Sequence, residues 1–496
     1  MRSLLVVISI FFPASVPLKA QKTRLVILAD MGNEPDEEQQ MMHLLMYANE
    51  VELEGLIAVT GIFLNPNSKR PDKRRLFPEL FHHLIEGYAK VVDNLQKHAS
   101  GWPTPAYLDS IVKTGQSDYG MSGVGAGKAS EGSTWLKQLM RKEDARPIYV
   151  VVNAGSNTLA QALMELQQEE EQAAFDRLLG KLRVFENGAQ DDAGAWICHH
   201  FPGIHWIRSK YQTYCYGGPG ADGSKNNKGD PRHLGPHNWQ PYAYNGIGQH
   251  QWLLEHVIGN HGPFGPYYPL RQFPRGGIAF MEGGGTTPWL GLVRPGLSSI
   301  DHPHWGGWQG RHTADKVQNE WSKHARVEQE EKTSAPFAMY IDAPDTWTDP
   351  VANEGYDNIF TPVFRWREAF YNDFRGRMDW CRSDYDQANH NPVAAIGTDQ
   401  SDEILFRRVK AGTKLSFDAR ASSDPDGDSL RYHWWIYPEA GTYQGQLELP
   451  VQDSPTCEVK IPTAAKGTQI HLILEIHDLH PEVELFDYRR VVIDVD

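Results

Sequence analysis

Between two apolar runs near the amino terminus lies Asp30-Met-Gly-Asn33-Glu34-Pro-Asp36-Glu37-Glu38, five carboxylates in nine residues. Carboxylates this close repel one another unless a hard cation or a developing positive charge sits among them. The pattern therefore points to ligation of a hard cation or to acid–base work on a cationic transition state. Helix capping is the competing account, because acidic side chains in a first turn face unpaired N–H groups. Capping suffices for Glu37 and Glu38. It fits less well for Asp30 and Asp36, which bracket a turn ahead of the helix.

The flanking segments must position these groups. Leu25–Ala29 is a short continuous apolar run of the kind buried in a parallel sheet, and Met41, Leu44, Leu45 and Ala48 follow at helical spacing. Leu56–Val59 then completes a βαβ unit, so the acidic loop falls at the carboxyl end of a strand, where open α/β sheets gather their ligands. Two later segments also read as strand, turn and helix. One runs from Pro147 through Asn153 and Asn157 to Leu163; the other runs from Leu182 through Glu186, Asn187, Asp191 and Asp192 to Gly194. Capping alone could explain Asn157 and the Asp191-Asp192 pair.

Taken together, these segments resemble the inosine-uridine nucleoside hydrolase superfamily, whose first strand ends in a calcium-chelating Asp-x-Asp-Pro-Gly-x-Asp-Asp loop. On that pattern Asp30, Asp36 and Glu37 match three of the Asp positions, while the second Asp falls on Gly32 and leaves Asn33 or Glu34 as its replacement. The Met-Gly-Asn-Glu-Pro-Asp form is similar to secreted bacterial proteins described as nucleoside-hydrolase-like and often labelled cellulose-binding, in which a cadherin-like or Ig-like domain follows. The resemblance implies a Ca²⁺ held by Asp30, Asp36 and Glu37, with Asn157 standing in the turn that supplies a backbone ligand. Asn187 takes the place of a sugar-contacting Asn, with Asn153, Glu186 and Asp191 beside it. The late ligand Asp is replaced by glycine in Glu282-Gly-Gly-Gly-Thr-Thr-Pro, which leaves Glu282 as the acidic candidate there and Asp301 as a more distant one.

Residues 200–311 are rich in loops and aromatics, including Tyr211, Tyr214, Tyr216, Trp239, Tyr242, Tyr244 and Trp252, and they end in His302-Pro-His-Trp305-Gly-Gly-Trp308-Gln-Gly-Arg311. Most of these rings are expected to fill the core. The glycine-flanked Trp305 and Trp308, with His302 and Arg311, are expected at the mouth of the acidic pocket, gripping sugar. His-x-His alone lacks the spacing of a zinc motif.

The 496 residues exceed one core, and two domains are expected: an α/β domain with a mostly parallel sheet at 21–390, and an Ig-like β-sandwich at 398–496. A linker is expected at 385–398, around Asn389-His-Asn-Pro392. In the tail, Asp424-Pro-Asp426-Gly-Asp428 is no EF-hand, since Ser429 and Trp435 stand where Gly and Glu are needed. Arg2 and the apolar run that follows, ending near Ala20, read as a signal peptide too short to span a bilayer, which implies a secreted or periplasmic protein. A net charge of −15 without a basic block argues against nucleic-acid partners. Four cysteines allow three pairings, of which Cys198–Cys215 is favoured. The functional expectation is a secreted glycosidase-like hydrolase acting on a carbohydrate or glycoside, with Asp36, Glu37 and Asp30 as its catalytic carboxylates. The alternative is a non-catalytic carbohydrate-binding protein on the same scaffold.

Overall fold

Arg24–Ala29 (β1) is buried at every position. Its side chains divide by parity: Leu25, Ile27 and Ala29 enter one hydrophobic layer, and Val26 and Leu28 enter the other. This is the behaviour of a central strand covered on both faces. The computed structural model describes residues 21–216, 249–274, 276–279, 281, 283–294, 296–317, 336–350 and 353–496. After β1 come β2 (Glu52–Ala58), β3 (Val112–Thr114), β4 (Ile148–Val152), β5 (Leu182–Asn187) and β6 (His205–Ser209). A short hairpin, β7 (Arg271–Phe273) and β8 (Gly276–Ile278), precedes β9 (His312–Val317) and β10 (Phe337–Asp342).

Eight strands form one sheet in the order β3-β2-β1-β4-β5-β6-β10-β9, parallel except where β9 runs against β10. The Pro35–Leu45 helix covers one face, burying Met41, Leu44 and Leu45; the Asn157–Glu169 helix covers the other with Leu159, Leu163 and Leu166. The chain leaves β1 toward β2 and β3, then returns to lay β4 on the other side of β1. The loops after β1 and β4 therefore separate at a topological switch point, the crevice that α/β sheets use for ligands.

A hairpin, β11 (Asp345–Thr348) and β12 (Gly355–Asn358), and the Arg367–Asp379 helix lead to the carboxyl-terminal strands. These are β13 (Leu405–Val409), β14 (Lys414–Asp418), β15 (Leu430–Ile436), β16 (Thr456–Lys460), β17 (Gln469–Asp478) and β18 (Phe486–Val495). The sheet β13-β18-β17-β15 and the pair β14-β16 enclose Phe417, Trp434, Val459, Leu472 and Ile493 as a β-sandwich. Among the described residues no helix is long and apolar enough to cross a membrane.

The segment read as a linker is a clamp. Asn389 Nδ2 donates to Asp478 Oδ2 at 3.0 Å and to the Val483 carbonyl at 2.8 Å, and the His390 N–H donates to Asp426 Oδ2 at 2.7 Å. Asn391 Nδ2 donates to Asp373 Oδ1 at 2.6 Å. The core itself crosses the junction, because Tyr437, Ile473, Phe486 and Tyr488 of the sandwich share one hydrophobic layer with Trp308, Trp366 and Phe370.

The Cys198–Cys215 pairing is corrected. Both thiols are free and buried, and they lie in the two different layers on opposite faces of the sheet, which no disulfide can bridge.

Candidate functional site

Asp30 is the first residue after β1, buried at 1 % exposure, and neither of its carboxylate oxygens has a hydrogen-bond partner. A turn closed by the Asn33 N–H on the Asp30 carbonyl (3.0 Å) follows, through Gly32 at φ +84°. That left-handed conformation, against Phe77 and Leu80, is one only glycine adopts without strain. Glu37 sits buried in the first helical turn, where its Oε2 accepts from Gln40 Nε2 and from Asn153 Nδ2, both at 3.3 Å. Asn153 directly follows β4 and thereby ties the first and fourth strand ends together.

Two features that sequence reasoning missed complete the pocket. Gln190, after β5, donates through Nε2 to the Asn153 carbonyl and accepts at Oε1 from the Ile62 N–H, each at 3.1 Å, so one amide links three loops. Gly61, after β2, lies so close that a Cβ there would stand 2.1 Å from Asp30 Oδ2 and 2.6 Å from Gln190 Oε1. The glycine run at 283–285 also has a positive role. A Cβ on Gly285 would come within 2.5 Å of Asn153 Nδ2, while Gly284 faces the Thr213 carbonyl and the amide of Asn187. Asn187 closes β5, accepting at Oδ1 from Thr213 Oγ1 at 2.6 Å.

Burial, and then the Asp36 carboxylate, push Asp30 and Glu37 well above the usual carboxylate range. The Lys73 ammonium, which donates to the Gly32 carbonyl, offsets this partly at Asp30 and at Glu38. The donor chemistry suits a hard cation: two partnerless Asp30 oxygens and the partnerless Asn153 Oδ1. Yet among the described residues no three His, Cys, Asp or Glu side chains gather as a metal set. Glu282 lies outside the described residues, as do Trp239, Tyr242 and Tyr244.

The structure draws Asp30, Asp36, Glu37, Asn153 and Asn187 to this crevice, while Asn33 contributes the backbone N–H that closes the turn, and it assigns several other candidates elsewhere. Glu34 turns outward to Arg271, 3.3 Å away. Glu186 is a buried ion-pair partner, accepting from Trp206 Nε1 at 2.9 Å and Arg208 Nε at 2.6 Å. Asn157 donates through Nδ2 to the Asp118 carbonyl at 2.7 Å, a loop tie. Asp301 pairs with Arg183 at the amino end of β5, away from the crevice.

The tryptophan loop faces the sandwich. Trp305 (3 % exposed) stacks on His302 at 4.0 Å and packs edge-on against His471 of β17 at 5.1 Å. Arg490 of β18 donates to the carbonyls of Leu297 (2.6 Å), Trp305 (2.9 Å) and Gly306 (3.1 Å). Trp308 is fully buried against Tyr488 and Phe370, each 6.2 Å away, and Arg311 binds Asp345 at 2.6 Å. The glycines around these rings admit close domain packing and do not free the indoles for sugar.

Asp191 is also saturated by protein. Its carboxylate accepts from Ser156 Oγ (2.8 Å) and from the N–H groups of Asn157 (3.2 Å) and Ala193 (3.0 Å), so it caps two helices and leaves no edge for a substrate. Burial pushes its pKa up to about 7. In the unfolded chain the proton leaves near pH 4, whereas the folded state keeps it to about 7. Stability therefore falls as pH rises across that window. Asp191→Asn is expected to flatten this part of the curve, measured as Tm between pH 4 and 8; an unchanged slope contradicts the assignment.

The sheet order and the pocket at its switch point define a nucleoside hydrolase-like α/β domain. Residues 24–312 match the family described as cellulose-binding Sde182, nucleoside hydrolase-like domain, and residues 414–495 match the C-terminal domain of cellulose-binding protein Sde0182; the chain belongs to this family. It is similar to a solved structure of a nucleoside hydrolase-related hypothetical protein from Saccharophagus degradans that is associated with carbohydrate metabolism. Identity is 33 %, the TM-score is 0.77, and coverage is 96 % of this chain and 100 % of that one. No curated protein matches the chain.

Proposed function

We propose that the protein is an exported hydrolase acting on glycosidic bonds of a carbohydrate, with its reaction centre at the Asp30–Glu37 loop. The observation that carries this reading is the buried Asp30 carboxylate, unpartnered at both oxygens, at the switch point of a nucleoside hydrolase-like sheet. Cleavage at a sugar carbon passes through an oxocarbenium-like state, and clustered carboxylates stabilise that positive charge. Asp36, less buried than Asp30 and Glu37, takes the proton from the attacking water. Asn153 holds Glu37 in place, and the Asn187 amide orients sugar hydroxyls. A Ca²⁺ at the unpartnered Asp30 oxygens and Asn153 Oδ1 would orient those hydroxyls and lower the pKa of a bound water, although Asp30, Asp36 and Glu37 do not gather as a three-carboxylate set.

A second reading, a non-catalytic carbohydrate-binding protein, is favoured by the absence of a three-ligand metal set among the described residues. One experiment separates the two. A panel of polysaccharides, oligosaccharides and nucleosides is incubated with wild type and with Asp36→Asn, with and without calcium, and reducing sugar is measured. Release from at least one glycan, lost in Asp36→Asn, is the expected result. Binding without turnover, unaffected by Asp36→Asn, establishes the second reading.

A further inference from the structure

Away from the Asp30 crevice, a cavity of about 300 Å³ opens at the seam between the α/β part and the sandwich. Its walls include Trp347 of the β11–β12 hairpin, Arg365, Trp366 and Glu368 at the start of the Arg367–Asp379 helix, and Trp435 and Glu475 of β15 and β17. Strand parity explains the sandwich side. Trp434 points into the sandwich core, so His433 and Trp435 face outward, and Glu475 lies opposite His433 in the register.

The walls carry the chemistry of a ligand site. Trp347 and Trp435 are only half-buried. Trp366 and Trp435 stand 5.7 Å apart at 43°, and the Arg365 guanidinium lies 4.6 Å from the Trp435 ring. Trp366 is 3 % exposed, yet its indole N–H has no hydrogen-bond partner. A buried donor left unmet is unfavourable, and an acceptor supplied by a ligand would satisfy it. Burial pushes Glu475 up to about 7, so near neutral pH it can both donate and accept.

We propose that this seam cavity is a second carbohydrate subsite, binding one or two pyranose units of a neutral glycan. That the ligand is a carbohydrate rests on the functional reading above; that the cavity takes a flat, hydroxyl-rich, uncharged molecule rests on its walls. Indole faces stack on the C–H faces of a pyranose, and the Trp366 N–H meets a hydroxyl oxygen. Glu368 and Asp349 outnumber Arg365 and turn away uronates, while Glu475 faces His433 across the strand pair. Trp435 also lines a neighbouring groove of about 500 Å³ with Tyr443, Gln444 and Gln446, which gives a longer chain a path onward.

The test titrates the full-length protein with a soluble β-1,4-gluco-oligosaccharide and, as anionic counterpart, an oligogalacturonate, following tryptophan fluorescence and calorimetric heat. Neutral oligosaccharide binding is expected to weaken at least tenfold in Trp347→Ala and in Trp435→Ala, and to survive largely in Trp347→Phe. The oligogalacturonate is expected not to bind. Trp347 lies on an outer hairpin, so its variant keeps the test open if Trp435→Ala fails to fold. Unchanged affinity in Trp347→Ala, or a wild type that binds no neutral oligosaccharide, overturns the proposal. Tryptophan-dependent binding without any turnover supports it while removing the hydrolase reading, so the two fail separately.

Discussion

Replacing Asp373 with alanine is expected to lower the free energy of unfolding by about 3–5 kcal/mol, the scale of removing one partner from a buried ion pair. Asp373 lies buried on the Arg367–Asp379 helix and accepts from Tyr47 Oη at 2.5 Å, Arg377 Nε at 3.2 Å and Asn391 Nδ2 at 2.6 Å, and from Arg294. Burial alone would raise its pKa, but the Arg294 and Arg377 guanidiniums win and hold it at about 2. The variant leaves two buried guanidiniums without their shared countercharge, and among the described residues only Arg377 keeps another carboxylate, Glu50 at 2.9 Å. The exposed Arg70–Asp72 pair gives the contrast: its side chains are 66 % and 60 % accessible, and Asp72→Ala should leave stability nearly unchanged. Urea unfolding of both variants measures the difference. A loss of less than about 1 kcal/mol for Asp373→Ala would mean that the cluster relaxes around the gap.

Gly61→Ala is the second large effect, and it falls on function. The added methyl would stand 2.1 Å from Asp30 Oδ2 and 2.6 Å from Gln190 Oε1, well inside van der Waals contact. Neither neighbour yields easily: Asp30 is enclosed, and Gln190 is held by Asn153 and Ile62. Overpacking of this kind costs about 1–3 kcal/mol, which a large domain survives. A displacement of about 1 Å in a reacting group costs on the order of a hundredfold in rate. The expected outcome is a folded protein whose turnover of any glycan identified by the panel falls about a hundredfold, checked by initial rates beside a thermal melt. Wild-type rates in a folded Gly61→Ala would place the reaction away from Asp30.

Much of this was legible in the residues because the signals are local. The apolar run at Leu25–Ala29, the helical spacing from Met41 to Ala48 and the acidic turn between them fix a strand, a loop and a helix, and parallel-sheet geometry then places the loop at a strand's carboxyl end. Asn153 ends an apolar run, whereas Asn187, preceded by Glu186, was legible only through the resemblance to the nucleoside hydrolases. Gln190 was not, since its value lies in joining three loops distant in sequence; the nearest hint is Gly188-Ala189 ahead of it, at φ 76° and 53°. Trp305 and Trp308 misled because glycine neighbours describe an irregular backbone and say nothing of what covers it. Their partners His471 and Tyr488 lie in strands that pair with each other, so only the assembled sandwich shows the rings to be interior.

The Arg490 contacts bear on how this protein can be cut, joined and inherited. A β-sandwich that follows an α/β domain is ordinarily a cassette, exchanged between genes or deleted by an engineer at a tolerant joint. Here the joint would expose Trp305, leave the carbonyls of Leu297, Trp305 and Gly306 without their donor, and strand a guanidinium that the sandwich alone does not accommodate. Neither half is then a self-sufficient part. The two should be transferred together or not at all, and a fusion that borrows only the sandwich as a binding tag should be produced as insoluble protein.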